Sequence, residues 1–239
     1  MVIISGNLQV QDICIDYIDN PSGSLIRIGK VKKIKALKEI NFSIKKGDVV
    51  ALIGKNGSGK STLLKTIAGM IRPSRGNIIT NGRVILLSGA NPGFSIEATG
   101  RENITELALA YGVRKQDINN FTHSVIDFAD IGDAIDRRIK GYSAGMKGKL
   151  GFGFITGLKP DILLIDETLG VGDEEFRKKA QIRLKEFVKN SGSVIMSTHS
   201  LGLARELCNR GLVLDNGKLI SDSDIEEAMV AYRGILKIN

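Results

Sequence analysis

Apolar and polar side chains alternate through residues 8–15 (Leu-Gln-Val-Gln-Asp-Ile-Cys-Ile), the two-residue period of a half-buried strand. A second strand is expected over residues 37–44. After Lys46-Gly47-Asp48 the short run Val49-Val50-Ala51-Leu52-Ile53 has no polar position, as in a strand buried on both faces. A helix is expected from Lys60 to about Arg72, because Pro73 cannot continue it. Ser74-Arg75-Gly76 and Asn81-Gly82 bracket another short strand with hairpin chemistry. Residues 89–93 read as loop, and Thr99-Gly100-Arg101-Glu102 forms a capping box for a helix to about Tyr111. A helical pattern follows over residues 117–130. Strand–helix alternation then resumes: an apolar strand ending at Asp166 and Glu167, a helix over residues 174–190 and a strand over 193–198. Asn216-Gly217 then joins two strands in the strongest hairpin signal of the chain, before a last helix over residues 224–233.

This order predicts an α/β fold with a mostly parallel sheet and helices on both faces. Residues 91–158 read as a helical lobe inserted into an α/β core formed by 1–90 and 159–239, all within one domain. At 239 residues, 42% apolar and 25% charged, the chain is long enough to bury a proper core and has an ordinary globular composition. No apolar run reaches the ~18–20 residues that span a bilayer. The N-terminus lacks the basic region and cleavage site of a signal peptide. Cys14 and Cys208 have no metal-type spacing, so a reduced, cytoplasmic compartment is expected, with Cys14 as a core residue.

Charge changes the picture locally. Net charge is +8, and Arg27, Lys30, Lys32, Lys33, Lys35 and Lys38 crowd into residues 27–38 with no acid among them. A solvated hairpin or loop is the plain expectation, and attraction to an anionic membrane surface the second. Nucleic acid ranks last, since the stretch has no aromatic residue for stacking and no nucleic-acid module is recognisable.

The chemistry concentrates in Gly54-Lys55-Asn56-Gly57-Ser58-Gly59-Lys60-Ser61-Thr62. Gly-x4-Gly-Lys-Ser between a buried strand and a helix is a P-loop. Its glycines let consecutive backbone N–H groups converge on phosphate oxygens, and the helix adds the positive end of its dipole. Lys60 would reach the β- and γ-phosphates, and the Ser61 hydroxyl would ligate Mg²⁺. The plain alternative is a glycine-rich turn that merely joins two elements. Asp166, at the carboxyl end of a buried strand, sits where a second Mg²⁺ ligand is expected, and Glu167 where an attacking water would be oriented or deprotonated.

Tyr142-Ser143-Ala144-Gly145-Met146 opens a helix and resembles the Leu-Ser-Gly-Gly-Gln signature of the ABC ATPases. Ser143 at the helix N-terminus, with Gly145 allowing close approach, is a second phosphate-binding end. The resemblance covers essentially the whole chain. It implies a P-loop NTPase fold with an antiparallel β subdomain and the inserted helical lobe. It also implies a homodimer in which the signature of one subunit closes over the ATP–Mg²⁺ on the P-loop of the other. Tyr17 matches the aromatic residue that stacks on adenine, the alternative being an ordinary strand-end tyrosine. Gly170-Val171-Gly172-Asp173 resembles the D-loop, although Asp173 also reads as a helix cap. His199 matches the switch histidine that senses the γ-phosphate.

Two departures place the branch. Most ABC ATPases carry a glutamine between the hairpin and the helical lobe, but none occurs between Gly82 and Asn103; Asn91, Ser95 and Glu97 are the candidates to replace it. Gly93-Phe94, residues 99–103, the signature and residues 170–173 together resemble the polysaccharide-export branch, in its short type without a carbohydrate-binding domain. That branch exports capsular polysaccharide, O-antigen and teichoic acid. The implied protein is an ATP-hydrolysing subunit, peripheral on the cytoplasmic face of the inner membrane. Its partner is an integral-membrane permease that contacts the cargo glycan, and no nucleic acid is involved. The alternatives are an ABC subunit for another cargo and a soluble, non-transport ABC ATPase; a P-loop kinase or GTPase would need neither the signature nor the D-loop.

Overall fold

The computed structural model describes residues 7–19, 32–88, 91–166, 173–190, 192–198 and 200–236. In chain order the elements are β1 (Asn7–Asp19), β2 (Lys32–Ile44), β3 (Val49–Gly54), α1 (Lys60–Ile67), β4 (Arg75–Asn81), β5 (Val84–Ser88), α2 (Gly100–Ala110), α3 (Ile118–Ala129) and α4 (Ala144–Gly157). They continue with β6 (Ile162–Asp166), α5 (Glu174–Lys189), β7 (Ser193–Ser197), α6 (Leu201–Leu207), β8 (Arg210–Asp215), β9 (Lys218–Asp224) and α7 (Ile225–Leu236).

The two strand patterns build two sheets. Largely apolar strands, with the alternating strand β9 at one edge, make a six-stranded sheet in the order β5-β6-β7-β3-β8-β9, parallel except for β9. The alternating strands make an antiparallel sheet, β2-β1-β4. Each buried strand of the large sheet serves two cores, which is why it has no polar face. Val50, Leu52, Ile162, Leu164, Ile195 and Leu212 pack against α1 and the antiparallel sheet. Ala51, Ile53, Leu163, Ile165, Val194 and Met196 pack against helices, α4 and α5 among them. Helices thus lie on both faces as expected, but on one face α1 shares the cover with a second sheet. Between β5 and β6 the chain is helical, centred on the fully buried Phe154, which meets the edges of Phe94, Tyr111 and Phe121 at 5.5 to 6.0 Å. Burying a side chain of that size stabilises by about 3 kcal/mol.

Several boundaries depart from the sequence reading, each for a local reason. The first helix ends at Ile67, five residues before Arg72. Gly69 N–H donates to Thr66 O and Met70 N–H to Lys65 O, a Schellman closure that stops the helix before Pro73 is reached. Asn81-Gly82 closes no hairpin, since β4 pairs with β1 while β5 crosses to β6. The dipeptide instead fits the chain against Asp161, whose Oδ2 accepts from Arg83 N–H at 2.7 Å. Helix α6 has no counterpart in the sequence pattern; at seven residues it is too short to show a period. The capping box at Thr99 is formed as expected, and Asn216 and Gly217 (φ 49 and 77) close the β8–β9 hairpin.

β2 begins at Lys32 and pairs antiparallel with β1, so the second half of the basic stretch is a strand arm, in line with the hairpin expectation; residues 20–31 lie outside the described residues. The β1–β2 ladder carries three successive bulges. One extra residue sits in β1 between Val10 and Ile13, and two sit in β2, one between Leu37 and Ile40 and one between Lys35 and Leu37. Asp12 (φ 53) and Glu39 (φ 56) adopt left-handed conformations there, and Arg75 of β4 holds both carboxylates, at 2.9 and 3.1 Å. Bulges bend and twist a ladder, and here they curve the hairpin over the start of α1. They also break the alternation, so Cys14 is half-buried, not a core residue, and its Sγ accepts from Glu39 N–H at 3.4 Å. Cys208 is the buried thiol, pushed up to about 12 by desolvation. A disulfide reagent at pH 8 should therefore label one thiol in the folded protein and two after denaturation, with the fast site lost in Cys14→Ser. Equal labelling rates at both thiols would contradict this burial.

Candidate functional site

The site is set by the register of three parallel strands. Asp166 ends β6 opposite Ser197, the last residue of β7, and Ser197 lies opposite Leu52 of β3. Two residues further on, β3 ends at Gly54, and the loop returns the chain to α1. Polar groups from three strand ends and the first turn of α1 therefore converge. The Ser61 hydroxyl donates to Asp166 Oδ1 at 3.1 Å, and the Ser197 hydroxyl donates to the same oxygen at 2.7 Å.

The loop itself is shaped by two glycines. A Cβ on Gly54 would stand 2.4 Å from Leu214 O and 2.5 Å from Ser58 Oγ, and Gly59 takes φ 109 at the start of α1. Helices α2, α4, α5 and α6 are capped by Thr99, Ser143, Asp173 and Ser200, but α1 has neither a side-chain cap nor an acid in its first turn. Its leading N–H groups thus remain for an anion. The buried Ser58 hydroxyl has no hydrogen-bond partner among the described residues, an uncommon state for a buried polar atom. Lys60 is only 5% exposed and lies along the loop, donating to Gly54 O at 2.8 Å and Lys55 O at 3.1 Å. A buried ammonium favours an anion close by. Lys55 points elsewhere: its Nζ donates to Ile235 O near the end of α7 at 3.0 Å, so only its backbone is left to serve a phosphate.

A cavity of about 650 Å³ opens above the loop. Asn56, Gly57, Gly59, Lys60, Ser61 and Thr62 form its floor, and Tyr17 stands at one side, 42% exposed with its hydroxyl 3.5 Å from Thr62 Oγ1. The remaining wall is β2, from Ile34 to Lys38 without the buried Leu37, and the turn Asn216-Gly217. The Ser61–Asp166 pair offers hard oxygen donors, which suit Mg²⁺. Among the described residues no three His, Cys, Asp or Glu side chains cluster.

Ser143 and Gly145 are not brought to this cavity. Ser143 is exposed and caps α4, its Oγ accepting from Met146 N–H at 3.2 Å; Gly145 is half-buried. Tyr142 is core, its hydroxyl donating to Ala134 O at 2.6 Å and its titration pushed up by burial. Asp173 does cap α5, and its other oxygen meets Lys149 of α4 at 2.7 Å, which holds the carboxyl below its usual range. Among the glutamine replacements, Asn91 Oδ1 accepts from Gly93 and Phe94 N–H, Ser95 N–H donates to Asn103 Oδ1, and Glu97 pairs with Lys140. None of the three lines the cavity. Glu167, residues 170–172 and His199 lie outside the described residues.

A profile of the ABC transporter family matches residues 37–170. The chain belongs to the ABC transporter family. This ABC ATPase is 38% identical over 204 residues to the O-antigen export system ATP-binding protein RfbB of Klebsiella pneumoniae, covering 85% of this chain and 83% of that one. It is also 38% identical over 208 residues to the teichoic acids export ATP-binding protein TagH of Listeria innocua, covering 87% and 62%. Its fold matches the dimeric post-hydrolysis structure of the ATP-binding cassette MJ0796 bound to ADP and Pi, with a TM-score of 0.76 at 21% identity over 91% and 98% of the two chains.

Three features of the ABC cassette escaped the sequence reading. Ser197 joins Asp166, and its signal was a polar residue ending an otherwise apolar strand. Lys35 and Lys38 reach the cavity from the basic stretch, and Asn216 does so from the last hairpin. Nothing local in the sequence places those three beside the P-loop.

Proposed function

We propose that this chain hydrolyses ATP to power export of a lipid-linked polysaccharide, of the O-antigen or teichoic acid class, through a separate integral-membrane permease. The observation that carries the ATPase part is the meeting of Ser61, Asp166 and Ser197 beneath an uncapped helix start and a buried Lys60. Its similarity to the named export proteins supports the cargo. Residues 1–90 and 159–239 form the α/β core of one ATP-binding domain, with 91–158 as its helical subdomain.

In this mechanism the triphosphate lies on the backbone N–H groups of Gly54, Lys55, Asn56, Gly57, Ser58, Gly59 and the first turn of α1. Lys60 leaves the Gly54 and Lys55 carbonyls for the β- and γ-phosphate oxygens. Thr62 and Tyr17 face the adenosine end, with the Tyr17 ring stacked on adenine. Ser61 and Asp166 would hold Mg²⁺, which when bound neutralises charge on the phosphoryl oxygens. Glu167 orients and deprotonates the attacking water, and His199 holds the γ-phosphate and reports its loss. Ser143 and Gly145 act on the nucleotide of a second copy, closing a head-to-tail homodimer. The dimer sits peripherally on the cytoplasmic face of the membrane, and the permease makes most contacts to the glycan.

Deleting the gene in its own host tests the cargo. The expected result is lipid-linked glycan retained on the inner side of the membrane, restored to the surface by the wild-type gene but not by a Lys60→Ala copy. A deletion strain with normal surface glycan would remove polysaccharide from the proposal.

A further inference from the structure

The basic stretch belongs to no motif, and its second half lies on β2 beside the P-loop. Lys35 is exposed and Lys38 half-buried, and both line the 650 Å³ cavity together with Lys60. In a regular strand two residues three apart point to opposite faces. The extra residue between Lys35 and Leu37 shifts the period by one and turns both lysines to one cavity.

The position of this wall is fixed. Lys38 N–H donates to Gly217 O at 2.7 Å, and Gly217 N–H donates to Ser58 O at 3.0 Å, so β2 is tied to the P-loop through the β8–β9 turn. A Cβ on Gly59 would lie 2.8 Å from the Leu37 side chain, which shows how closely strand and loop pack. Among the described residues no acidic side chain lines the cavity. Both lysines also border a second hollow that holds Asp16, Glu39, Arg75 and Lys218. There Glu39 is occupied by Arg75, and Asp16, cross-strand from Lys35, makes no ion pair with it among the described residues.

We propose that Lys35 and Lys38 are nucleotide-contacting residues, their ammonium groups meeting phosphate oxygens from the β2 side while the P-loop N–H groups meet them from below. The inference rests on the nucleotide-site reading above. It assigns Lys35 and Lys38 of the basic stretch to the ATP pocket rather than to lipid.

The test is binding of a fluorescent ATP analogue and of adenosine to the purified full chain, comparing wild type, K35Q/K38Q, K35R/K38R and Lys60→Ala. Each partly exposed charge contact contributes about two- to fivefold, so K35Q/K38Q should bind ATP about tenfold more weakly at about 50 mM salt. The gap should narrow at about 300 mM, where charges are screened. Adenosine affinity should not change, and K35R/K38R should restore ATP binding. Wild-type ATP affinity in K35Q/K38Q at both salt concentrations, with Lys60→Ala impaired, would overturn this proposal and leave the P-loop site standing. An equal loss for adenosine and ATP would also overturn it, since that marks a displaced hairpin. If wild type binds no ATP, the nucleotide site itself fails.

Discussion

Replacing Lys60 with alanine is expected to weaken ATP binding by at least about a hundredfold, because a charge-assisted contact to phosphate is lost from a buried position. The geometry makes the effect twofold in origin. The ammonium bonds the Gly54 and Lys55 carbonyls, so truncation also removes their donor and disturbs the loop. Thermal unfolding without nucleotide separates the two contributions. A small drop in Tm together with lost nucleotide binding by calorimetry assigns the effect to phosphate. Unchanged ATP affinity would remove residues 54–62 from the nucleotide site altogether.

Glu167→Gln should behave in the opposite way, keeping ATP while slowing hydrolysis by about 10² to 10⁴. Glu167 follows Asp166 directly, and Asp166 is fixed at the carboxyl end of β6 by its register with Ser197. An amide in place of the carboxylate keeps the size and loses the base. Trapped ATP should then hold two copies together, with Ser143 and Gly145 of each over the nucleotide of the other. Size-exclusion chromatography with and without ATP reads the dimer, and phosphate release reads the turnover. Normal turnover would take the role of base away from Glu167, and a monomer that retains ATP would take the trans role away from Ser143.

How far the sequence could be read depended on how local each signal was. The P-loop is contiguous, and its strand, turn and helix follow from nine residues and their flanks. The capping box at Thr99 and the Asn216-Gly217 hairpin were legible for the same reason. Strand order was not: β3 lies between β7 and β8, so Ser61 and Ser197 meet on Asp166 through pairings that span most of the chain. Asn81-Gly82 predicted a change of direction correctly but not which strand would follow it into which sheet. Cys14 was misjudged through a single cause. A bulge shifts the two-residue period without leaving a mark in composition, and three of them separate Val10 from Asp16.

The brace from Lys38 through Gly217 to Ser58 also bears on how the protein is made. A ribosome delivers the P-loop roughly 160 residues before the turn that supports it, an interval of roughly 10 to 30 s at ordinary synthesis rates. Through that time the loop has neither the β8 carbonyl against which Gly54 packs nor its brace. The pocket is therefore among the last parts of the nascent chain to take shape, and a chain cut short before Gly217 carries every residue of the loop and lacks the turn that braces it.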